Sequence, residues 1–92
     1  MHKVNKTALI TGSGQNIGRG IAHELASAGI NIIINGKTNE IAAETVAAEM
    51  REYGVDAIVA MGNIGLEEEA EAVVNAGIKK FGRINILINN AA

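Results

Sequence analysis

The stretch Thr7 to Leu25, TALITGSGQNIGRGIAHEL, sets four glycines, at positions 12, 14, 18 and 20, between a short apolar run and a helix-like segment. Glycine at a strand-to-helix corner permits positive φ, lets a ligand approach the backbone and allows a helix to pack close on a sheet. The helix that follows such a corner offers unpaired N–H groups and the positive end of its dipole, which together suit a phosphate. The same glycines would also serve a corner that is simply tight, so the cluster alone leaves phosphate binding and packing both open. Spacing excludes two familiar loops. A G-x-G-x-x-G fingerprint fails because Gly12 and Gly14 are followed by Gly18, one residue late. A loop ending in G-K-[ST] fails too. Gly36, Lys37 and Thr38 have that ending, but Asn31 stands where its first glycine belongs, inside a strand pattern.

Other reactive residue types read as structural. Glu67, Glu68, Glu69 and Glu71 gather at the start of a helical stretch, where carboxylates complement the dipole, and no metal site is assigned there. His23-Glu24 lacks a second histidine four residues after the first, so the zinc-helix motif is absent. His2 is read as terminal decoration and Asp56 as a solvated residue at a strand start. Tyr53 closes a helical stretch on its apolar face, a core position.

The elements that must position the corner follow from hydrophobic pattern. Apolar, β-prone runs occur at Thr7–Thr11, Ile30–Asn35, Ala57–Met61 and Ile84–Asn89, each continuous, as in strands buried on both faces of a parallel sheet. Helical periods lie between them. The first puts Gly18, Ile21, Ala22, Leu25 and Ala28 on one face and stops at Gly29. The second, about Asn39 to Tyr53, turns Ala42, Val46, Met50 and Tyr53 inward and closes at Gly54. The third, about Leu66 to Phe81, turns Ala70, Val73, Val74, Gly77 and Phe81 inward. Strand-helix alternation with right-handed crossovers predicts an α/β, Rossmann-type doubly wound parallel sheet, its first four strands and three helices only.

Composition excludes several classes. Ninety-two residues make one domain at most, with 48% hydrophobic and 20% charged residues and a net charge of -2. No basic block is present to meet nucleic acid or a membrane surface. The apolar runs are too short to cross a bilayer, and the N-terminus lacks the apolar stretch of a signal peptide. The absence of cysteine excludes disulfides and suits a reducing cytoplasm, the expected location.

The spacing Thr11-Gly12-x-x-x-Asn16-Ile17-Gly18 resembles the T-G-x-x-x-G-x-G loop of the short-chain dehydrogenase/reductase family, with Asn16 in place of the middle glycine. Asparagine is the non-glycine residue that best tolerates left-handed backbone, so that replacement costs about 1 kcal/mol. The segment FGRINILINNAA, Phe81 to Ala92, resembles the family's helix end, fourth strand and N-N-A-G motif, with Ala92 for the final glycine and Asn85 where aspartate is usual. The wording is most similar to the 3-oxoacyl-[acyl-carrier-protein] reductases and related sugar or polyol dehydrogenases.

This resemblance implies a nicotinamide dinucleotide across the carboxyl ends of the strands, with Gly12, Asn16, Ile17 and Gly18 around the pyrophosphate. At the end of the second strand an acidic residue would hold the adenosine ribose and repel a 2′-phosphate. Here the segment is NGKTNE, with Gly36 at that position and Lys37 next to it. A Lys37 contact to a 2′-phosphate is worth roughly 1.5–3 kcal/mol, so NADP (NADPH) is preferred over NAD. The alternative for Lys37 is an ordinary solvated lysine beside a helix start. Gln15 sits in the loop where many NADP-using members carry a basic residue. Asn63 and Ile64 are expected to frame adenine, Asn63 both donating and accepting. Asn90, Ala91 and Ala92 are expected to pass the adenosine ribose largely through backbone, and Asn89 to tie neighbouring strands. No catalytic residue is assigned: the family's Tyr-x-x-x-Lys is not met, since Ala57 stands four residues after Tyr53.

The resemblance therefore implies the NADP-binding portion of a short-chain oxidoreductase, acting on a carbonyl or alcohol held by an absent half and homo-oligomeric when intact. The alternatives are a non-catalytic dinucleotide-binding module and a half-domain completed by a partner. Residues 1–92 are expected to be an incomplete Rossmann domain whose fourth strand, INILINN, forms an apolar edge.

Overall fold

Residues 5–91 are described by the structure, a computed structural model. Strands and helices alternate as β1 (Thr7–Ile10), α1 (Asn16–Ser27), β2 (Asn31–Ile34), α2 (Glu40–Arg51), β3 (Ala57–Val59), α3 (Glu67–Phe81) and β4 (Ile86–Ile88). The strands form one parallel sheet ordered β3-β2-β1-β4, the doubly wound order expected from the four apolar runs. Chain direction reverses its march across the sheet between β1 and β4. In open α/β sheets the crevice at such a point receives ligands. Each strand is shorter than its apolar run, because end residues such as Thr11 and Asn35 leave the ladder to build the loops beyond it.

Side chains alternate between the two faces of the sheet, and each face has its own core. Ala8, Ile10, Ile32, Ile34 and Ala57 meet Ala22 and Ala26 of α1 and Ala43, Val46, Ala47 and Met50 of α2. Leu9 and Ile33 point the other way, against Val73 of α3, joined by Ile58, Ala76 and Phe81. This double burial explains why the runs read as continuously apolar rather than alternating. β4 lies at the edge, and the side chain of Leu87 is 65% exposed there, on the face opposite Ile86 and Ile88. No helix among the described residues is long and apolar enough to cross a membrane.

Three inward assignments change. Ala28 is exposed, because α1 ends at Ser27 and Ala28 leaves helical geometry; Gly18, Ala22 and Ala26 form the buried stripe instead. On α3 the buried face runs through Val73 and Gly77, and Val74 is 40% exposed on the flank it shares with Ile78. Tyr53 is not core. Helix α2 stops at Arg51, and a turn ending at Gly54, φ +90°, swings the ring to the surface, where it is 45% exposed. Asp56, read as merely solvated, is exposed but accepts the Ala57 N–H at 2.8 Å and lies 3.3 Å from Lys80.

The displaced tyrosine joins a polar seam between α1 and α2. Arg19 makes a two-point ion pair with Glu49, and the His23 ring bridges the same carboxylate (Nε2 to Oε1, 2.9 Å) and the Tyr53 hydroxyl (2.6 Å from Nδ1). The Arg19 guanidinium holds the Glu49 carboxyl below the usual carboxylate range, through hydrogen bonding first, with burial opposing and His23 assisting. A lowered folded-state pKa contributes stability above the unfolded value and loses it as pH falls. Glu49→Gln is therefore expected to lower Tm by a few degrees at pH 7 and to melt like wild type once the carboxylate is protonated in strong acid. A Tm gap independent of pH would show that the seam acts by packing alone.

Helix α1 starts hard against the β1 loop. A Cβ at Gly18 would collide with the Gly12 carbonyl oxygen and fall 2.7 Å from Asn90 Nδ2 and 2.8 Å from the Ser13 Cα. Gly20, two residues on, has nothing within 4 Å of the same point. Gly18→Ala is expected to cost about 2–3 kcal/mol in denaturant unfolding through overpacking against backbone. Gly20→Ala is expected to be neutral or to gain up to about 1 kcal/mol from helix propensity.

Candidate functional site

The carboxyl ends of the strands are joined by a small set of polar side chains. Thr11 follows β1 and is buried, and its hydroxyl oxygen accepts the N–H groups of Asn90 (2.9 Å) and Ala91 (3.0 Å). The same hydroxyl lies 3.3 Å from Asn89 Oδ1. Gly12 follows with φ +63°. Its N–H donates to Asn35 Oδ1 at 3.1 Å, and its carbonyl accepts from Asn90 Nδ2 at 3.1 Å. Ser13, fully buried, donates its N–H to the Asn35 carbonyl (2.8 Å), and its hydroxyl oxygen accepts the Asn35 N–H (2.9 Å). The Asn35 side chain also reaches the segment that follows β3, donating to Ala60 O (3.0 Å) and Gly62 O (3.2 Å).

Asn35 was not among the residues expected to shape this site. Its signal was present: a polar, strand-disfavoured residue closing the apolar run Ile32 to Ile34 just before Gly36. With its carboxamide used on three backbone groups and no carboxylate from position 35 to 38, the polar side chains left free at the β2 corner are those of Lys37 and Thr38. The next residue, Asn39, is committed to capping α2 through Ala42 N–H, 3.0 Å away.

Asn16 adopts φ +57°, the one non-glycine residue with positive φ among those described, as its place in the loop requires. Gln15 before it is extended and makes no side-chain cap. The N–H groups of Asn16, Ile17 and Gly18 thus start α1 without helical acceptors, as first-turn donors do. This end also has no acidic residue in its first turn, whereas α2 carries Glu40 and an asparagine cap and α3 carries Glu67, Glu68 and Glu69. The positive end of the α1 dipole is left bare.

Two adjoining cavities share Gly12 and Lys37 and form one groove. The larger, about 340 Å³, is lined by Gly12, Asn35, Lys37, Asn63, Ile64, Asn89 and Ala91 among others. The smaller, about 160 Å³, lies between Gly14 and Gln15 on one side and Lys37 and Thr38 on the other. Of the expected residues, Gly12, Gln15, Lys37, Asn63, Ile64 and Ala91 line this groove, with the exposed Lys37 at the junction. Asn16, Ile17 and Gly18 stand at the start of α1 without lining either cavity, and Ile17 is an exposed side chain. Ala92 lies outside the described residues.

The hydrogen bonds add detail to three expectations. Asn63 Oδ1 accepts the Gly65 N–H (2.9 Å), which leaves its carboxamide two N–H donors and one further lone pair. The backbone N–H groups of Asn90 and Ala91 are spent on the Thr11 hydroxyl, which leaves their carbonyls as the backbone groups not given to Thr11. The side chain tying the β1 and β4 loops most directly is that of Asn90, on the Gly12 carbonyl, beside the longer Asn89 contact. Asn85, where aspartate was the usual residue, accepts the Thr7 N–H at 2.9 Å, a bond either side chain can make.

Comparison with known proteins agrees with this geometry. Residues 6–92 match the family model described as short chain dehydrogenase. The 3-oxoacyl-[acyl-carrier-protein] reductase FabG of Staphylococcus aureus (strain Mu50) is 36% identical over 89 residues, covering 97% of this chain and 36% of that protein. The chain thus spans about a third of the length of such relatives. The hydroxysteroid dehydrogenase of Escherichia coli superposes with a TM-score of 0.88 at 35% identity, over 98% of this chain and 38% of that one. A Burkholderia cenocepacia protein solved with NADP bound gives a TM-score of 0.88 at 29% identity, over 94% of this chain and 34% of that one. With the glycine corner, the strand order and the asparagine motif after β4 all in place, the chain belongs to the short-chain dehydrogenase family.

Proposed function

We propose that this chain is the NADP-binding portion of an oxidoreductase that transfers a hydride between NADP(H) and a carbonyl or alcohol substrate. The observation carrying the choice of cofactor is the β2 corner, where Lys37 stands in the groove and no carboxylate is present to repel a 2′-phosphate. The residues present fit a dinucleotide. Gly18 has no room for a Cβ beside the Gly12 carbonyl, and the bare start of α1 offers unpaired donors to an anion.

In this reading the N–H groups of Asn16, Ile17 and Gly18, with Gly12 approaching closely, hold the pyrophosphate. Lys37 holds the 2′-phosphate, and the Gln15 carboxamide lines the same pocket without adding charge. Asn63 and the apolar Ile64 frame adenine, and the Asn90 and Ala91 carbonyls face the ribose. When bound, the nicotinamide supplies or accepts the hydride. The residues of this chain bind and orient it; no substrate-holding or proton-transfer group is assigned among them.

One observation favours a second reading, a dinucleotide-binding module without turnover. Tyr53, the one tyrosine of the chain, lies on the α1–α2 seam against His23, and its sequence context is not Tyr-x-x-x-Lys. A Tyr-x-x-x-Lys elsewhere in the full-length protein, with NADPH-dependent reduction of a carbonyl substrate, selects the enzyme.

The cofactor assignment is tested by calorimetric titration of wild type and Lys37→Ala with NADPH and NADH. NADPH affinity is expected to fall about ten- to hundredfold, the loss of one charge-assisted contact, with NADH nearly unchanged. Equal losses for both cofactors would place the 2′-phosphate elsewhere.

A further inference from the structure

We infer that Asn35 is a positioning residue for the dinucleotide, a single buried carboxamide that sets the two facing walls of the groove together. The inference rests on the cofactor reading above and goes beyond it, because Asn35 acts through backbone rather than as a recognition group. Its side chain is 2% exposed. Its oxygen accepts the Gly12 N–H at 3.1 Å, which fixes the peptide at the mouth of the β1 corner. Its nitrogen donates to the carbonyls of Ala60 and Gly62, at 3.0 and 3.2 Å, which fixes the loop carrying Asn63 and Ile64. Asn35 is itself clamped by Ser13, through both its N–H and its carbonyl. One amide plane therefore determines the separation of the phosphate wall from the adenine wall.

The chemistry at this position is specific. A neutral amide of this length offers one acceptor and two donors, matching one N–H and two carbonyls. A carboxylate keeps the Gly12 bond but faces two carbonyl oxygens with no proton to give. Such a group, buried among oxygens, takes up a proton more readily than usual, and its O–H then restores one donor. Asn35→Asp is thus a pH-dependent probe of the clamp.

The experiment uses the full-length protein, wild type and N35D, titrated with NADPH and NADH between pH 5.5 and pH 8, with Tm of the unliganded proteins recorded alongside. Affinity is read as the ratio of N35D to wild type at each pH, so that titration of the ligand's own phosphate cancels. The expected result is a loss of about tenfold or more at pH 8, the scale of one or two buried groups left unpaired, that shrinks as pH falls. A second measurement uses wild type alone: amide hydrogen exchange with and without adenosine 2′-monophosphate, which carries no 5′-phosphate and so occupies only the adenine and Lys37 side. Slower exchange at the Gly12 amide, together with the 60–64 loop, is expected. A folded N35D that binds NADPH as wild type does across the pH range overturns the inference, as does a Gly12 amide that the monophosphate leaves unchanged. Wild type binding neither NADPH nor NADH overturns the cofactor reading itself, and this inference with it.

Discussion

The arrangement at the strand ends depends on one residue, Gly12, whose backbone is held from both sides. Its N–H is bonded to β2's end through Asn35 and its carbonyl to the segment after β4 through Asn90. With φ at +63°, it adopts a conformation that a side chain would strain, and it leaves β1 in the direction that brings α1 back onto the sheet. The start of α1 then lies so near the Gly12 carbonyl that residue 18 has space for hydrogen alone. Buried polar groups are costly unless paired, and here they are paired mainly with backbone at the carboxyl edge of the sheet. The result is a rigid rim carrying few committed side chains of its own.

Rigidity at the rim is matched by selective neutralisation of helix ends. Helix α2 satisfies its first turn with Asn39 and Glu40, and α3 with three glutamates, one of which also reaches the Asn63 N–H at 2.7 Å. The start of α1 receives none of these. Electrostatics therefore leave one uncompensated positive end, and it stands beside the groove where Lys37 adds an exposed cation. The glutamates Glu67, Glu68 and Glu69 stand in the first turn of α3, where carboxylates complement the dipole.

The α1–α2 seam shows how helix termination redirects a side chain. By periodicity Tyr53 continues the line of Val46 and Met50, and it would be core if α2 ran on. Termination at Arg51 breaks the period, and the guanidinium of Arg51 donates to the Ala57 carbonyl at 2.8 Å, drawing the end of the helix toward β3. The tyrosine then finds His23 instead, whose own sequence context suggested nothing beyond a failed metal motif. Periodicity assigned the faces of α1 and α2 well in their middles, through Ala22 and Val46, and failed at Ala28 and Tyr53, within a residue or two of helix ends.

By itself the sequence determined the α/β class, the four strands and their continuous apolar character, the three intervening helices, and the glycine and asparagine spacings of the family. These are local properties: period, propensity and the backbone freedom of residues such as Gly12 and Asn16 act over a few neighbours. Tertiary structure alone decided which polar groups spend their hydrogen bonds on the frame and which are left for a ligand. Asn35 is consumed, Lys37 is left free, Asn63 gives one of its two oxygen lone pairs to Gly65, and the Asn90 and Ala91 N–H groups go to Thr11. Such partners lie from two to eighty residues apart in the chain, so their pairing depends on the parallel register that brings the ends of β1, β2, β3 and β4 together, and no local pattern encodes it.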